Sequence, residues 1–389
     1  METTKVMANF AFPGPILLGC GRCHEIGKQA AALGSKKPLL VTGPSILKSS
    51  IGERVLASLH ASALSAVVYS EAHLNPTDRD IFAGAERFKS SECDIVIAVG
   101  GGSRMDVAKG IRLAVSHPGP LSDYYFDVGG ADRIKNPQPP LIAVPTIAGS
   151  GSEVSRGAIV TDLAANRKRL LAGPGMMASI VILDPELNVS AAPDLTAVGG
   201  MDALCHAIET YVGTGFHPFA EALSLHAIEI LCRSLPVAFR DGSDLDARSH
   251  LMIGSTMAGL CFARGLGVVH SLAHQLTPAC GIGHGLAVAV LLPWGMEYNL
   301  DCVTSRYARI ARAMGLANGS DHDAMAVEAI NAVRRLQAEL SIPDRLSKIG
   351  VTRDHLPALA VNAMLDHCHR TNPKACGQSS MRQILELAL

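Results

Sequence analysis

Three histidines crowd into VVHSLAHQLTPACGIGHG (268–285): His270 and His274 stand four residues apart, and His284 follows ten residues later beside a glycine. Upstream, GGMDALCHAIE places Asp202 and His206 at the same four-residue spacing. On a helix that spacing sets two side chains one turn apart on one face. An aspartate with two to four imidazoles is a good donor set for a divalent transition ion, and the carboxylate–histidine mixture suits Fe²⁺, Zn²⁺ or Mn²⁺. With no cysteine thiolate in the set, a structural zinc site is disfavoured. A single histidine on an apolar helix face is more often a hydrogen-bonded core residue, and His226 and His250 are read that way. Asp202, His206, His270 and His284 together are different. A carboxylate buried in an apolar helix is costly unless something pairs with it, and few lysines or arginines lie nearby in sequence. Spacing alone does not separate His274 from the other candidate ligands.

A second kind of chemistry is carried by IVIAVGGGSRMDVAKGIRLAV, which runs strand, glycine turn, helix. Gly100, Gly101 and Gly102 let a ligand approach the backbone closely. Ser103 and the start of the next helix offer N–H donors and a positive dipole end, where a phosphate sits well. The stretch lacks the G-x-G-x-x-G spacing, and alone it is no more than a tight turn. VPTIAGSGSE (144–153) also follows a strand and offers Thr146, Ser150 and Ser152. Two such loops at the ends of neighbouring parallel strands point to a nucleotide crevice. CGRCH (20–24) has the spacing of a haem attachment site; it is read as a turn between an N-terminal strand and the first helix.

The elements that must position these groups fall into two halves. PLLVTG (38–43), DIVIAVGGG (94–102), PLIAVPT (140–146) and ASIVILDP (178–185) are continuous apolar runs, read as buried strands of a mainly parallel sheet. Helical patterns such as CHEIGKQAAALG and TDRDIFAGAERFKSS lie between them, predicting a doubly wound α/β domain over residues 1–188. After LDPEL, helical periodicity takes over in MDALCHAIETYV, AEALSLHAIEILCRSL, RSHLMIGSTMAGLCFA, VVHSLAHQL, SRYARIARAMG and DAMAVEAINAVRRLQAEL. SAAPDLTAVGG (190–200) has the punctuation of a boundary, so residues 189–389 are expected to form an all-helical domain.

The bulk properties narrow the class. With 389 residues, two domains are expected; 48% hydrophobic and 18% charged residues make the chain globular rather than disordered. A formal net charge of −1 without a basic run argues against nucleic-acid binding. Pro13 and Pro15 break the only candidate leader, and Pro293 interrupts the longest apolar run, GLAVAVLLPWGM. A cytoplasmic protein with reduced cysteines and no membrane span is therefore expected.

Taken together, NPT (75–77), GGGSRMDVAK, VPTIAGSGSE, LDPEL, GGMDALCHAIE, GLGVVHSLAHQL, GHG and TNP (371–373) resemble the iron-containing (group III) alcohol dehydrogenases, nearly end to end. The resemblance implies a metal lying between an N-terminal nucleotide-binding domain and a C-terminal helical domain, in a homodimer. It implies that Asp202, His206, His270 and His284 are ligands and that His274 lines the site without ligating. It further implies a cofactor-binding set of Gly100 to Ser103, Asp106, Thr146, Ser150 and Lys168, and a substrate pocket lined by Cys368. The implied reaction is hydride transfer between a short-chain alcohol or aldehyde and NAD or NADP, with the ion as Lewis acid and His274 as a proton relay.

Several positions depart from the family's pattern. Ile147 stands where threonine is often repeated, and Ala178 where proline is frequent. Arg156 and Arg264 flank motifs that face the active site, which suggests a substrate carrying a carboxylate, phosphonate or sulfonate. Gly43 occupies a place where many relatives have an aspartate that binds the ribose 2′-hydroxyl, so NADP(H) is expected to be tolerated, with Lys48 a candidate for its phosphate. A lyase related to dehydroquinate synthases and a non-enzymatic nucleotide sensor are the alternatives. The first calls for a richer set of lysines and arginines, and the second needs no full ligand set.

Overall fold

A computed structural model describes residues 7, 8, 10–316 and 319–389. Six strands, β1 (Ile16–Leu18), β2 (Pro38–Val41), β3 (Val67–Tyr69), β4 (Ile95–Gly100), β5 (Leu141–Pro145) and β8 (Ile180–Leu183), form one parallel sheet in the order β1-β8-β5-β4-β2-β3. The remaining two, β6 (Gly157–Asp162) and β7 (Arg167–Ala172), make a separate antiparallel hairpin. Helices α1 (Ile26–Ala32), α2 (Pro44–Leu47), α3 (Ser50–Ala61), α4 (Asp78–Ser90) and α5 (Gly102–Ser116) link the strands. The α/β character expected from the alternation is thus observed.

Alternation along the buried strands explains the layering. Ile95, Ile97 and Val99 pack with Ile142, Val144 and Ile182 against Ile26, Ala30, Val55 and Leu59 of α1 and α3. Val96 and Ala98 face the other way, with Leu141, Ala143 and Val181, into a core continuous with the helical half. Both sheet faces are covered, as parallel strands require. The NPT motif starts α4: Thr77 Oγ1 accepts the Asp80 N–H while Asp80 accepts the Thr77 N–H, a capping box.

The second half contains α6 (Pro193–Val212), α7 (Pro218–Arg240), α8 (Leu245–Leu260), α9 (Val268–Cys280), α10 (His284–Ala313), α11 (His322–Glu339), α12 (Leu356–Ala363) and α13 (Gln378–Ala388). One expectation changes. Residues 193–200, read as boundary punctuation, are the first two turns of α6, because Pro193 sits at the helix start, where its missing N–H costs nothing. His284, which no periodicity placed on an element, is the first residue of α10, with Gly283 as N-cap. Among the described residues, α7, and the bent pair of α8 with α9, have by length and composition what a bilayer span needs. Ala220, Ala227, Ile228, Leu231 and Leu235 of α7 are buried against α6 and α8, as in a core helix.

Candidate metal and nucleotide site

Helix α6 is buried along nearly its whole length and carries Asp202 and His206 one turn apart. Helix α9 brings His270 and His274 to the same place, and the first turn of α10 brings His284. The Nε2 atoms of His206, His270 and His284 lie 3.7, 3.6 and 3.6 Å from Asp202 Oδ1. These separations are too long for good hydrogen bonds and suit atoms that share an ion. Asp202 Oδ1 and His270 Nε2 are buried without a hydrogen-bond partner. Buried orphans of that kind demand an explanation, and a cation supplies one. Burial pushes the His206 pKa down to about 4 and lowers that of His284, so both rings are neutral and ligand-ready. Burial works to raise the Asp202 pKa, but its interactions with His206, His284 and His270, a His270 hydrogen bond among them, outweigh it and hold the carboxyl well below its usual range.

Two acids not anticipated from the sequence set the orientation of the imidazoles. Glu209 Oε2 accepts from His270 Nδ1 at 2.6 Å, and Oε1 accepts the Val269 N–H at 2.8 Å. That fixes His270 with its proton on Nδ1 and its lone pair on Nε2, toward Asp202. Asp366 Oδ2 accepts from His274 Nδ1 at 2.8 Å, while Oδ1 accepts from Ser271 Oγ at 3.1 Å and the Cys368 N–H at 2.8 Å. The His274 ring stacks on His284, with centroids 5.2 Å apart. Glu209 was findable: it lies seven residues past Asp202, on the same face of an otherwise apolar helix. Asp366 gave no such signal, being 92 residues from His274.

The glycine loops meet on the sheet's carboxyl edge. β4 and β5 are neighbours, with Gly100 opposite Pro145, so both loops leave the sheet side by side. A Cβ on Gly102 would come within 2.5 Å of Ser150 Oγ. The second loop lies directly on the helical half. A Cβ on Gly151, whose φ is +60°, would lie 2.5 Å from Gly259 Cα in α8, and one on Gly149 would lie 2.9 Å from Gly199 Cα in α6. Asp106 ties this edge to the hairpin, accepting from Ser152 Oγ at 2.6 Å and the Ile159 N–H at 3.2 Å. Ser103 Oγ donates to the Leu74 carbonyl at 2.5 Å, and Thr146 is buried. Gly43 follows β2 as the N-cap of α2.

Lys168 reaches the site from β7, its Nζ 3.4 Å from Thr277 Oγ1 on α9. Burial pulls its pKa down to about 8, against the pull of Asp106, Asp202 and Asp366. A cavity beside His274 is lined by Phe126, Ile159, Lys168, Asp366 and His367. Cys368 is buried next to it, its thiol 3.7 Å from His367 Nε2, and burial raises its pKa so that it stays protonated.

The two arginines expected at the substrate are corrected. The Arg264 guanidinium is buried, donating to the Gly213 carbonyl at 2.9 Å and pairing with Glu221 at 2.8 Å. Its Nε and Nη2 donors hold the end of α6 to α7. Arg156 is exposed, and neither arginine lines the cavity beside His274. Flanking a motif in sequence says nothing about which way a long side chain points.

Residues 13–185 match the family described as iron-containing alcohol dehydrogenase, and residues 196–389 match the C-terminal part of the Fe-containing alcohol dehydrogenase family. The chain is 36% identical over 383 residues to 4-hydroxybutyrate dehydrogenase of Cupriavidus necator, covering 96% of this chain and 98% of that protein. It is 34% identical over 385 residues to NAD-dependent methanol dehydrogenase of Bacillus methanolicus, covering 98% and 100%. A crystal structure of 1,3-propanediol oxidoreductase superposes with a TM-score of 0.95 at 34% identity, covering 99% of this chain and 100% of that one. The chain belongs to the iron-containing alcohol dehydrogenase family.

Proposed function

We propose that this protein interconverts short-chain alcohols and aldehydes by metal-dependent, nicotinamide-linked hydride transfer. In this reading Asp202, His206, His270 and His284 hold one Fe²⁺ ion per chain, and the nucleotide lies along Gly100–Ser103, Thr146 and Ser150. Residues 1–188 then carry the nucleotide and 189–389 the metal. The observation that carries the reading is the convergence of three Nε2 atoms on the unpartnered Asp202 Oδ1, next to two glycine loops at the sheet's carboxyl edge. When bound, the ion supplies Lewis acidity toward an alcohol or carbonyl oxygen, and the nicotinamide supplies the hydride acceptor or donor.

The chain's own residues do the rest. Glu209 orients His270. Asp366 is an ionised acceptor, so His274 keeps its proton on Nδ1 and presents a free Nε2 lone pair to take up or return a proton. The apolar packing around α6 and α9 keeps bulk water from the reacting atoms. At the cavity wall Arg167 and Arg169 are both paired with Asp127, whereas Lys168, among the described residues, forms no ion pair with a carboxylate. That favours a substrate with a carboxylate or hydroxyl at its far end, in keeping with the hydroxy acid named for the Cupriavidus relative.

Gly43 leaves the ribose end of the nucleotide site without a carboxylate, which supports use of NADP(H) as well as NAD(H). Among the described residues the outer edge of β1 pairs with no strand, and it exposes Ile16 and Leu18 close in sequence to exposed Phe12, supporting a homodimer through this edge. All ten cysteines are free, which fits a cytoplasmic, reducing setting. The test is metal analysis of the purified protein, followed by a screen of alcohols and aldehydes with the Fe²⁺-reconstituted enzyme. Stoichiometric reduction of NAD⁺ or NADP⁺ by an alcohol supports the reading; tight metal and nucleotide binding with no redox exchange refutes it.

A further inference from the structure

Arg104 follows the glycine run directly, in the first turn of α5, yet its side chain does not point to solvent. It is only 6% exposed and runs back across the sheet edge. Nη1 donates to the Ala72 carbonyl beyond β3 at 2.6 Å and comes within 3.5 Å of the His73 carbonyl. Nε and Nη2 lie 3.5 and 3.7 Å from the position a Cβ on Gly43 would occupy. The guanidinium therefore spans the carboxyl ends of β2 and β3, the strands that follow β4 in the sheet order.

Two features of this arrangement point to a ligand. Among the described residues, Nε and Nη2 have no hydrogen-bond acceptor, and no carboxylate forms an ion pair with Arg104. The nearest acid, Asp80, is already engaged by the Thr77 N–H and hydroxyl and by His73. A guanidinium does not shed its proton, and neither Nε nor Nη2 is among the fully buried polar atoms left without a partner, so this edge is a permanent cation within reach of a ligand. The edge left free, Nε–H beside Nη2–H, is one that grips a phosphate with two parallel hydrogen bonds. The place is also right. A pyrophosphate seated at the start of α5 directs the adenosine ribose over the end of the next strand, which is β2 with Gly43. In nucleotide folds of this kind, an acid there binds the ribose 2′-hydroxyl, and a nearby arginine accommodates a 2′-phosphate. Lys48, by contrast, is exposed at the far end of the single turn of α2.

We infer that Arg104, through its Nε–Nη2 edge over the side-chain-free Gly43, is the residue that binds the 2′-phosphate of NADP(H). The inference rests on the nicotinamide-linked function proposed above and adds the residue that selects between its two cofactors.

Equilibrium binding tests it without turnover. NADPH and NADH are titrated into the metal-loaded protein by nucleotide fluorescence, and adenosine 2′,5′-bisphosphate and 5′-AMP are compared by thermal shift. Wild type is expected to bind NADPH at least as tightly as NADH and to be stabilised more by the bisphosphate. Arg104→Met should weaken NADPH at least tenfold while NADH changes less than threefold, and Arg104→Lys should fall between. Gly43→Asp keeps Arg104 and its Ala72 contact but sets a carboxylate against the free edge. It should move the NADPH/NADH preference at least tenfold toward NADH, and it serves should Arg104→Met fold poorly. Equal losses of both nucleotides in Arg104→Met, with an unmoved preference in Gly43→Asp, overturn the inference and make Arg104 a structural tie. A wild type that binds NADH but not NADPH also overturns it, leaving the proposed function intact. A protein that binds neither overturns both.

Discussion

Replacing Glu209 by glutamine removes one charge and one acceptor while keeping the side chain's shape. Both carboxylate oxygens are in use, one by the Val269 N–H and the other by His270 Nδ1–H. Glutamine has a single acceptor oxygen, so one of the two N–H groups must face an NH₂. The site is enclosed: a Cβ on the neighbouring Gly267 would lie 2.6 Å from Glu209 Oε1. Leaving a buried donor unmatched costs about 1–3 kcal/mol, which lowers the stability of the metal-free protein. The ion suffers separately, because loss of the carboxylate behind a ligand histidine lowers metal affinity about 10–100-fold. That corresponds to about 1.4–2.7 kcal/mol, and at a fixed saturating metal concentration the stabilisation conferred by metal shrinks by the same amount. The assay is competition for Fe²⁺ or Zn²⁺ with a chromogenic chelator, paired with thermal unfolding in the presence and absence of metal. A Glu209→Gln protein that binds metal within twofold of wild type would refute the claim that this acid orients a ligand.

His270→Ala is expected to lose the metal and all turnover, whereas His274→Ala keeps most of the metal and loses rate; metal retained in the first and lost in the second would reverse the assignment. Lys168 is held near pKa 8 rather than 10.5, so between those values the unfolded chain binds more protons than the folded one. The cost of its buried charge is therefore full below pH 8 and is relieved as pH rises toward 10.5. Lys168→Met should raise stability at pH 7, by on the order of 3 kcal/mol, and by much less at pH 10; urea unfolding at both values checks this, and a variant less stable than wild type at pH 7 contradicts it. Gly151→Ala forces a side chain into a left-handed conformation and against Gly259, at about 2–4 kcal/mol in all. An unfolding midpoint within a degree of wild type would show that this contact relaxes freely.

The fold was legible where patterns were long. β2, β4, β5 and β8 are apolar runs with alternating faces, and α6, α9 and α11 carry clear helical periods. β3 was missed because its three residues, Val67–Tyr69, are too short for any period. The β6–β7 hairpin was missed because charged RKR opens β7 and hides the burial of its last two residues. At the site, pairs on one helix, such as Asp202 with His206, were readable from four-residue spacing. His284 at the start of α10 was nominated only by its nearness in sequence to the α9 pair, since no local period joins it to α9, and the family resemblance marked it as a ligand. Long side chains were the least legible. Arg264 flanks one motif and Arg104 lies within another, yet one is locked against Glu221 and Gly213 while the other crosses the sheet edge to Gly43.

The contacts of Gly149 with Gly199 and of Gly151 with Gly259 bring backbone against backbone, with no side chain between. A flexible side chain in such a seam would absorb small displacements by changing rotamer; bare backbone cannot. Any movement of α6 at Gly199 would therefore be passed on to the loop at Gly149, which the proposed function sets against the nucleotide. Under the proposed function, occupancy of one centre would then be felt at the other, and thermodynamics would make that influence mutual: whatever factor one ligand imposed on the other's dissociation constant would be returned unchanged.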